Sequence, residues 1–121
     1  MANKIAVTAC DNELIVIAFQ TGASYELCRI LSGNKNSVTV TINITAGPYQ
    51  GTIVLDGVNQ PLNLAVPQTL APGTYSIQLL GLNWGDVTQF SGTVNSTRFD
   101  LPVKQADPGL TFSIPPISIT V

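Results

Sequence analysis

The stretch SVTVTINIT at residues 37–45 decides the fold class, because apolar and polar side chains alternate along it without interruption. Two valines and two isoleucines point to one side, and the threonines and the asparagine between them point to the other. Alternation with a period of two is typical of a half-buried β-strand, since successive side chains of a strand leave opposite faces. The apolar side consists of Val38, Val40, Ile42 and Ile44.

Other short apolar or alternating runs predict further strands, and no run has the i, i+3, i+4 spacing of an amphipathic helix. Residues 13–19 form a continuous apolar run, which predicts a mid-sheet strand buried on both sides. A turn at Thr21-Gly22 leads to a partner strand with Tyr25, Leu27, Arg29 and Leu31 on one side. Further strands are predicted around Ile5 and Val7 and at residues 52–55, 74–80, 86–94, 98–103, 110–114 and 117–121.

Turn residues divide these strands at short intervals. Asp56-Gly57 is a strong hairpin signal, and Pro61 limits the returning strand to a sheet edge or to a short pairing. Many short strands with regular turns predict an all-β, single-domain antiparallel β-sandwich over residues 1–121, immunoglobulin-like or jelly-roll-like, with a small closed β-barrel as the alternative. The eight residues from Ala71 to Gln78 also resemble the first residues of strands in immunoglobulin-like bacterial and viral domains.

The composition excludes several classes of function. Only 10% of the residues are charged, where about 25% is usual. The net charge is −2 and the five cations are scattered, which argues against nucleic-acid binding through phosphates. No apolar stretch reaches the length of a membrane-spanning helix. No signal-peptide-like block follows the first residues, so we expect synthesis in the cytosol. The cations are Lys4, Arg29, Lys35, Arg98 and Lys104.

Two cysteines permit one disulfide. In a plain meander the strands of Cys10 and Cys28 lie too far apart to be bridged, so a bridge requires a crossover between two sheets. Without further cysteines or an export signal, we expect reduced thiols.

The absence of histidine removes the usual catalytic base and the usual metal ligand, so no cofactor, no metal and no enzymatic activity is expected. Two acid-based alternatives remain. Asp86, Asp100 and Asp107 are candidates for a carboxylate-dependent glycoside hydrolase. Asp11-Asn12-Glu13 offers three oxygen ligands for calcium, although the same tripeptide is also a common tight turn.

The segment from Leu82 to Asp86 is the candidate ligand site. It places the single tryptophan, Trp84, beside the amide of Asn83 and the carboxylate of Asp86. An aromatic ring with planar polar neighbours is suited to sugar binding, so the alternative function is a carbohydrate-binding module or lectin, with help from Tyr49 or Tyr75. A lone tryptophan at a strand end can equally be a partly buried plug or an interface anchor.

The favoured interpretation is a non-enzymatic structural protein that contacts copies of itself or a larger protein lattice. Uncharged faces and free strand edges invite contact with other chains. Residues 110–121 are predicted to exchange a strand or contact a partner, through Ile117, Ile119 and Val121. By analogy of fold and composition, such a protein suits a virion capsid, neck or tail as an accessory or decorating component.

Overall fold

The computed structural model describes residues 3–33 and 36–121. Lys35, one of the five cations, lies outside them. The described residues contain eleven strands. Their bounds are β1 Asn3–Asp11, β2 Glu13–Gln20, β3 Ala23–Ser32, β4 Val38–Ala46, β5 Ile53–Gly57, β6 Leu62–Leu70, β7 Thr74–Asn83, β8 Val87–Val94, β9 Thr97–Gln105, β10 Gly109–Ser113 and β11 Ile117–Thr120.

The strands form two open sheets that pack against each other, so the predicted β-sandwich is confirmed and the closed barrel is not. The first sheet has the order β6-β4-β1-β8-β9, and the second has the order β10-β7-β2-β3-β5, with β11 also paired to β7. The expectation of purely antiparallel sheets is wrong, because β5 runs parallel to β3 and β6 runs parallel to β4.

The core lies between the two sheets and is built mainly from alternate residues of the strands, with an interruption at a bulge in β3. The alternation of β4 holds as predicted, since its two valines and two isoleucines are all buried. Near the β10 edge of the second sheet, the rings of Phe90 and Phe112 stack with their centroids 5.4 Å apart, joining the two sheets. As predicted, β2 lies in the middle of its sheet, between β7 and β3.

The predicted hairpin at Asp56-Gly57 is wrong, because the chain leaves the second sheet there and enters the first. Asn36 holds this crossing in place, since its Nδ2 atom donates to the carbonyl oxygens of Gly57 at 2.9 Å and Val58 at 3.0 Å. The following strand, β6, is an edge strand, as the position of Pro61 predicts.

The prediction that Tyr25, Leu27, Arg29 and Leu31 share one side is also wrong. The register between β2 and β3 shifts between Val16 and Ile17, which is the mark of a β-bulge. Leu27 and Cys28 are consecutive and both buried, so the residues after the bulge change sides. Arg29 and Leu31 therefore lie on the outer face.

The two cysteines come from opposite sheets and are both buried, unbridged thiols. The chain crosses between the sheets after β1, so the two cysteines are not on strands of a single meander. Burial raises the pKa of both thiols, and that of Cys28 reaches about 12. Burial and the raised pKa both disfavour the thiolate, which is the reactive form, so we expect these cysteines to react slowly at neutral pH.

A buried glutamine joins the two sheets and was not found from the sequence. Gln68 is fully buried on β6, where its Nε2 atom donates to the carbonyl oxygens of Leu27 at 3.0 Å and Gly51 at 2.9 Å. Its Oε1 atom accepts from the backbone amide of Thr69 at 3.0 Å. The amide therefore satisfies the backbone at the β3 bulge.

Candidate functional site

The side chains of the predicted ligand site, Asn83, Trp84 and Asp86, do not face one common surface. Asn83 is buried, and its Nδ2 atom donates to the backbone carbonyls of Ala106 at 2.8 Å and Asp86 at 3.3 Å. Its Oδ1 atom accepts from the backbone amide of Gly85 at 3.2 Å. The Asn83 side chain therefore organises the β7–β8 loop and faces away from solvent.

Replacing Asn83 by alanine is expected to lower the free energy of unfolding by about 2 kcal/mol, because it leaves buried backbone groups without partners. Urea denaturation of the full chain measures this loss. Asp86→Asn is the matched control in the same loop, because Asp86 is exposed and its carboxylate accepts from the exposed side chain of Gln105 at 2.9 Å. Equal stability of Asn83→Ala and wild type would contradict the structural role.

Trp84 lies on the outside of the second sheet and remains 44% exposed. Its backbone amide donates to Asn12 Oδ1 at 2.9 Å, and its indole Nε1 donates to Glu13 Oε1 at 3.3 Å. The indole is thus fixed at the end of the sheet next to Glu13, with much of its surface open to a partner.

The two tyrosines proposed as helpers lie at the far end of the same sheet. Tyr75 is buried, and Tyr49 donates its hydroxyl to the Glu26 carbonyl at 2.6 Å. Both pack edge-on against Tyr25, which pairs with Ala18, five residues along β2 from Glu13. At about 3.3 Å per residue, this places them roughly 17 Å from the position of Trp84.

The tripeptide Asp11-Asn12-Glu13 forms a tight connection between β1 and β2, which belong to different sheets, and its three side chains do not converge on a calcium site. Among the described residues, no group of three or more His, Cys, Asp or Glu side chains is placed to hold a metal ion. Asn12 is buried and donates to the Ser32 carbonyl at 3.0 Å. Glu13 lies on the second sheet's outer face. Burial raises the pKa of the Asp11 carboxyl, and the nearby Asp86 carboxylate raises it further.

The three candidate acids for hydrolysis occupy different places. Asp86 and Asp107 lie in neighbouring loops. The Asn83 amide, which donates to the Asp86 carbonyl, also donates to the Asp107 carbonyl at 3.4 Å. Asp100 pairs with Ser91, five residues along β8 from Asp86, or roughly 17 Å at strand geometry. Asp100 belongs to the outer face of the first sheet, which carries shallow depressions of about 410 and 390 Å³ lined mainly by threonine, serine and glutamine.

The outer face of the second sheet is the most distinctive surface of the molecule, and we call it the apolar face. Its central strands place isoleucine, leucine and phenylalanine at outward positions, where a solvated sheet carries polar residues. The register places most of them in two rows across β10, β7, β2, β3 and β5, which also contain charged residues, while the two further rows are polar apart from Ile17 and Phe19. The apolar members are Ile15, Ile17, Phe19, Leu31, Val54, Leu80, Leu82 and Leu110.

Exposure is greatest at the two margins of the apolar face. Leu110 on β10 is 61% exposed, and Val54 on β5 is 58% exposed. Trp84 extends the face beyond the row that contains Leu110, Leu82 and Glu13. Five strands about 4.8 Å apart and four rows of outward side chains give a planar area of roughly 600 Å².

The sheet edges, in contrast, are poorly suited to pairing with another chain. The edge strand β6 contains Pro67, and the edge strand β9 contains Pro102 and Lys104. The opposite edge strands, β5 and β10, have only five residues each. Proline, lysine and short length are the usual protections of free edges, so the face offers the better contact surface.

The predicted assembly residues at the C-terminus pack within their own chain. Strand β11 pairs with β7, placing Ile117 opposite Ile77 and Ile119 opposite Tyr75. Ile119 is buried, while Ile117 and Val121 pack partly against the core. Their role in assembly stays a prediction, and the structure gives them a role in the core.

No protein-family model matches the chain, and no curated protein or solved structure shows significant similarity to it. Within the residues that the structure describes, no helix is long and apolar enough to cross a membrane.

Proposed function

We propose that this protein is a non-enzymatic structural subunit that docks through its apolar face onto a larger protein assembly. The observation that carries the proposal is the alignment of outward Ile, Leu and Val side chains in two neighbouring rows that cross the sheet, interrupted only by charged side chains. Single exposed apolar residues are common on soluble proteins, whereas a contiguous apolar sheet face marks a contact surface.

The size of the face supports docking. A stable interface of standard size uses about 800 Å² of accessible surface on each partner. The planar area of roughly 600 Å² approaches this value, because protruding side chains and Trp84 add accessible area. Tryptophan and arginine are enriched among the residues that contribute most to the binding energy of interfaces. Arg29 lies on this face, and Trp84 lies at its border.

Placing an amide on the apolar face is expected to weaken docking. Val54→Asn would bury an unpaired amide in the contact, so at least a tenfold decrease in the assembled fraction is expected, equivalent to about 1.4 kcal/mol. The measurement is gradient sedimentation of extracts from the native source, which compares the fraction of chain that travels faster than a 12.8 kDa monomer.

Val103→Asn is the matched control. Val103 lies on β9 of the first sheet and is 59% exposed, almost the same as Val54 at 58%. Both are edge-strand valines, so their intrinsic costs to the fold should be similar. A wild-type chain that sediments only as a monomer, or equal effects of the two substitutions, would refute the proposal.

A further inference from the structure

The charged side chains of the apolar face form a compact group around one arginine. Arg29 Nη2 donates to Glu26 Oε1 at 2.6 Å, and Arg29 Nη1 lies 3.4 Å from Glu13 Oε2. Asp56 occupies the same row as Glu13, on the other side of Leu31. Three acids and one cation give the face a net charge of −2.

This charge distinguishes between possible occupants. A second copy of the chain docked face to face would bring two surfaces of the same sign together while removing them from water. Like charges opposed across an interface cost several kcal/mol and suppress the wrong partner. The outer face of the first sheet carries Lys4 and Arg98, but threonine, serine and glutamine side chains and Asp100 surround them. A second copy docked there would bury the apolar rows against polar groups, so this face is also a poor partner.

We infer that the occupant of the apolar face is a different protein, whose contacting surface is apolar and carries at least one lysine or arginine. This inference rests on the proposed docking function and specifies the chemistry of the partner. Apolar burial supplies the affinity, and the excess negative charge selects a basic surface.

The register indicates where the basic side chain binds. Glu13 and Asp56 flank Leu31 on strands two positions apart, about 9.6 Å across the sheet. Glu13 is shared between Arg29 and the Trp84 indole. A cationic group seated over Leu31 would therefore lie between the two carboxylates, beside the exposed indole.

A charge-inverted copy of the chain provides a defined probe with the same apolar rows. Glu13→Lys/Asp56→Lys changes the face from net −2 to net +2. We expect wild type and variant each to remain monomeric alone at low salt. Their equimolar mixture should form a 1:1 complex at least tenfold tighter than either self-association and weakened by added salt. Sedimentation velocity measures all three samples.

Asp100→Lys/Asp107→Lys is the matched control, because it makes the same change in total charge outside the apolar face. Asp56→Lys alone is the second probe, since it leaves both partners of Arg29 in place. The inference is overturned if wild type dimerises through this face at low salt, if the control pairs with wild type equally well, or if neither probe pairs. Dimerisation of wild type that Val54→Asn abolishes would leave the docking function standing, whereas equal sedimentation of Val54→Asn and Val103→Asn would remove it.

Discussion

Gly92→Ala is expected to destabilise the protein by about 4 kcal/mol or to prevent folding, the largest effect of any single substitution considered for this chain. Gly92 lies on β8 between β1 and β9, opposite Val7 and Phe99. A Cβ atom there would overlap the carbonyl oxygen of Ala6 and approach Phe99 Cζ to 2.7 Å. The obstructing oxygen belongs to the backbone of a central strand, so it cannot move aside as a flexible side chain would.

Urea unfolding followed by circular dichroism, with the soluble yield, measures the effect of Gly92→Ala. Thr93→Ala is the control at the next position, where the side chain points outward from the first sheet, and it should change the stability by about 0.5 kcal/mol at most. A Gly92→Ala protein within about 1 kcal/mol of wild type would show that β1 and β8 are less closely paired than the structure describes.

The sequence predicts much of this fold because most of its strands can be recognised from local apolar patterns and turn residues. Strand β4 alternates cleanly, and the turn at Thr21-Gly22 correctly joins β2 and β3. The Asp56-Gly57 signal fails because a turn dipeptide reports only local preference. The parallel pairings of β5 and β6 depend on Asn36, which binds the crossing from 21 residues away.

The bulge in β3 marks another limit of sequence interpretation. An alternating pattern assigns sides only while the register is unbroken, and one extra residue moves every later side chain to the opposite face. This change puts Arg29 between Glu13 and Glu26, an arrangement that no spacing in the sequence indicates.

The sequence of β2 indicates that the outer face of its sheet is apolar, but it does not indicate which other residues belong to that face. The continuous run at residues 13–19 is interpreted as a strand buried on both sides. In the structure its inner side chains, such as Leu14 and Val16, are fully buried, while the outer ones, such as Ile15, are only half-buried. The remaining rows come from β5, β7 and β10, which are distant in sequence. Apolar residues at the outward positions of a central strand are the local sign in the sequence that a sheet face is covered.

Removing residues 117–121 is expected to lower the free energy of unfolding by about 3 kcal/mol while leaving the chain monomeric. Ile119 is buried opposite Tyr75, and Val121 exchanges two backbone hydrogen bonds with Gly73, at 3.0 and 2.8 Å. Asn3 Nδ2 also donates to the Thr120 carbonyl at 2.9 Å, which ties the end of the chain to β1. Burial of an isoleucine contributes about 1.5–3 kcal/mol, and the ordering entropy of five residues offsets part of the total.

Two point substitutions test how much of the stability that β11 contributes comes from its buried side chain. Ile119→Ala should cost about 2 kcal/mol, most of the loss on removing β11, because it opens a cavity beside Tyr75. Ser118→Ala, whose side chain points outward, should have little effect. Urea midpoints measured at two protein concentrations, together with sedimentation, distinguish a core strand from an exchanged one. A strand exchanged between chains would make the midpoint rise with concentration and the wild type sediment as a dimer, because folding would then require a neighbour. A strand paired within its own chain, as β11 is with β7, gives a midpoint independent of concentration and a loss confined to stability.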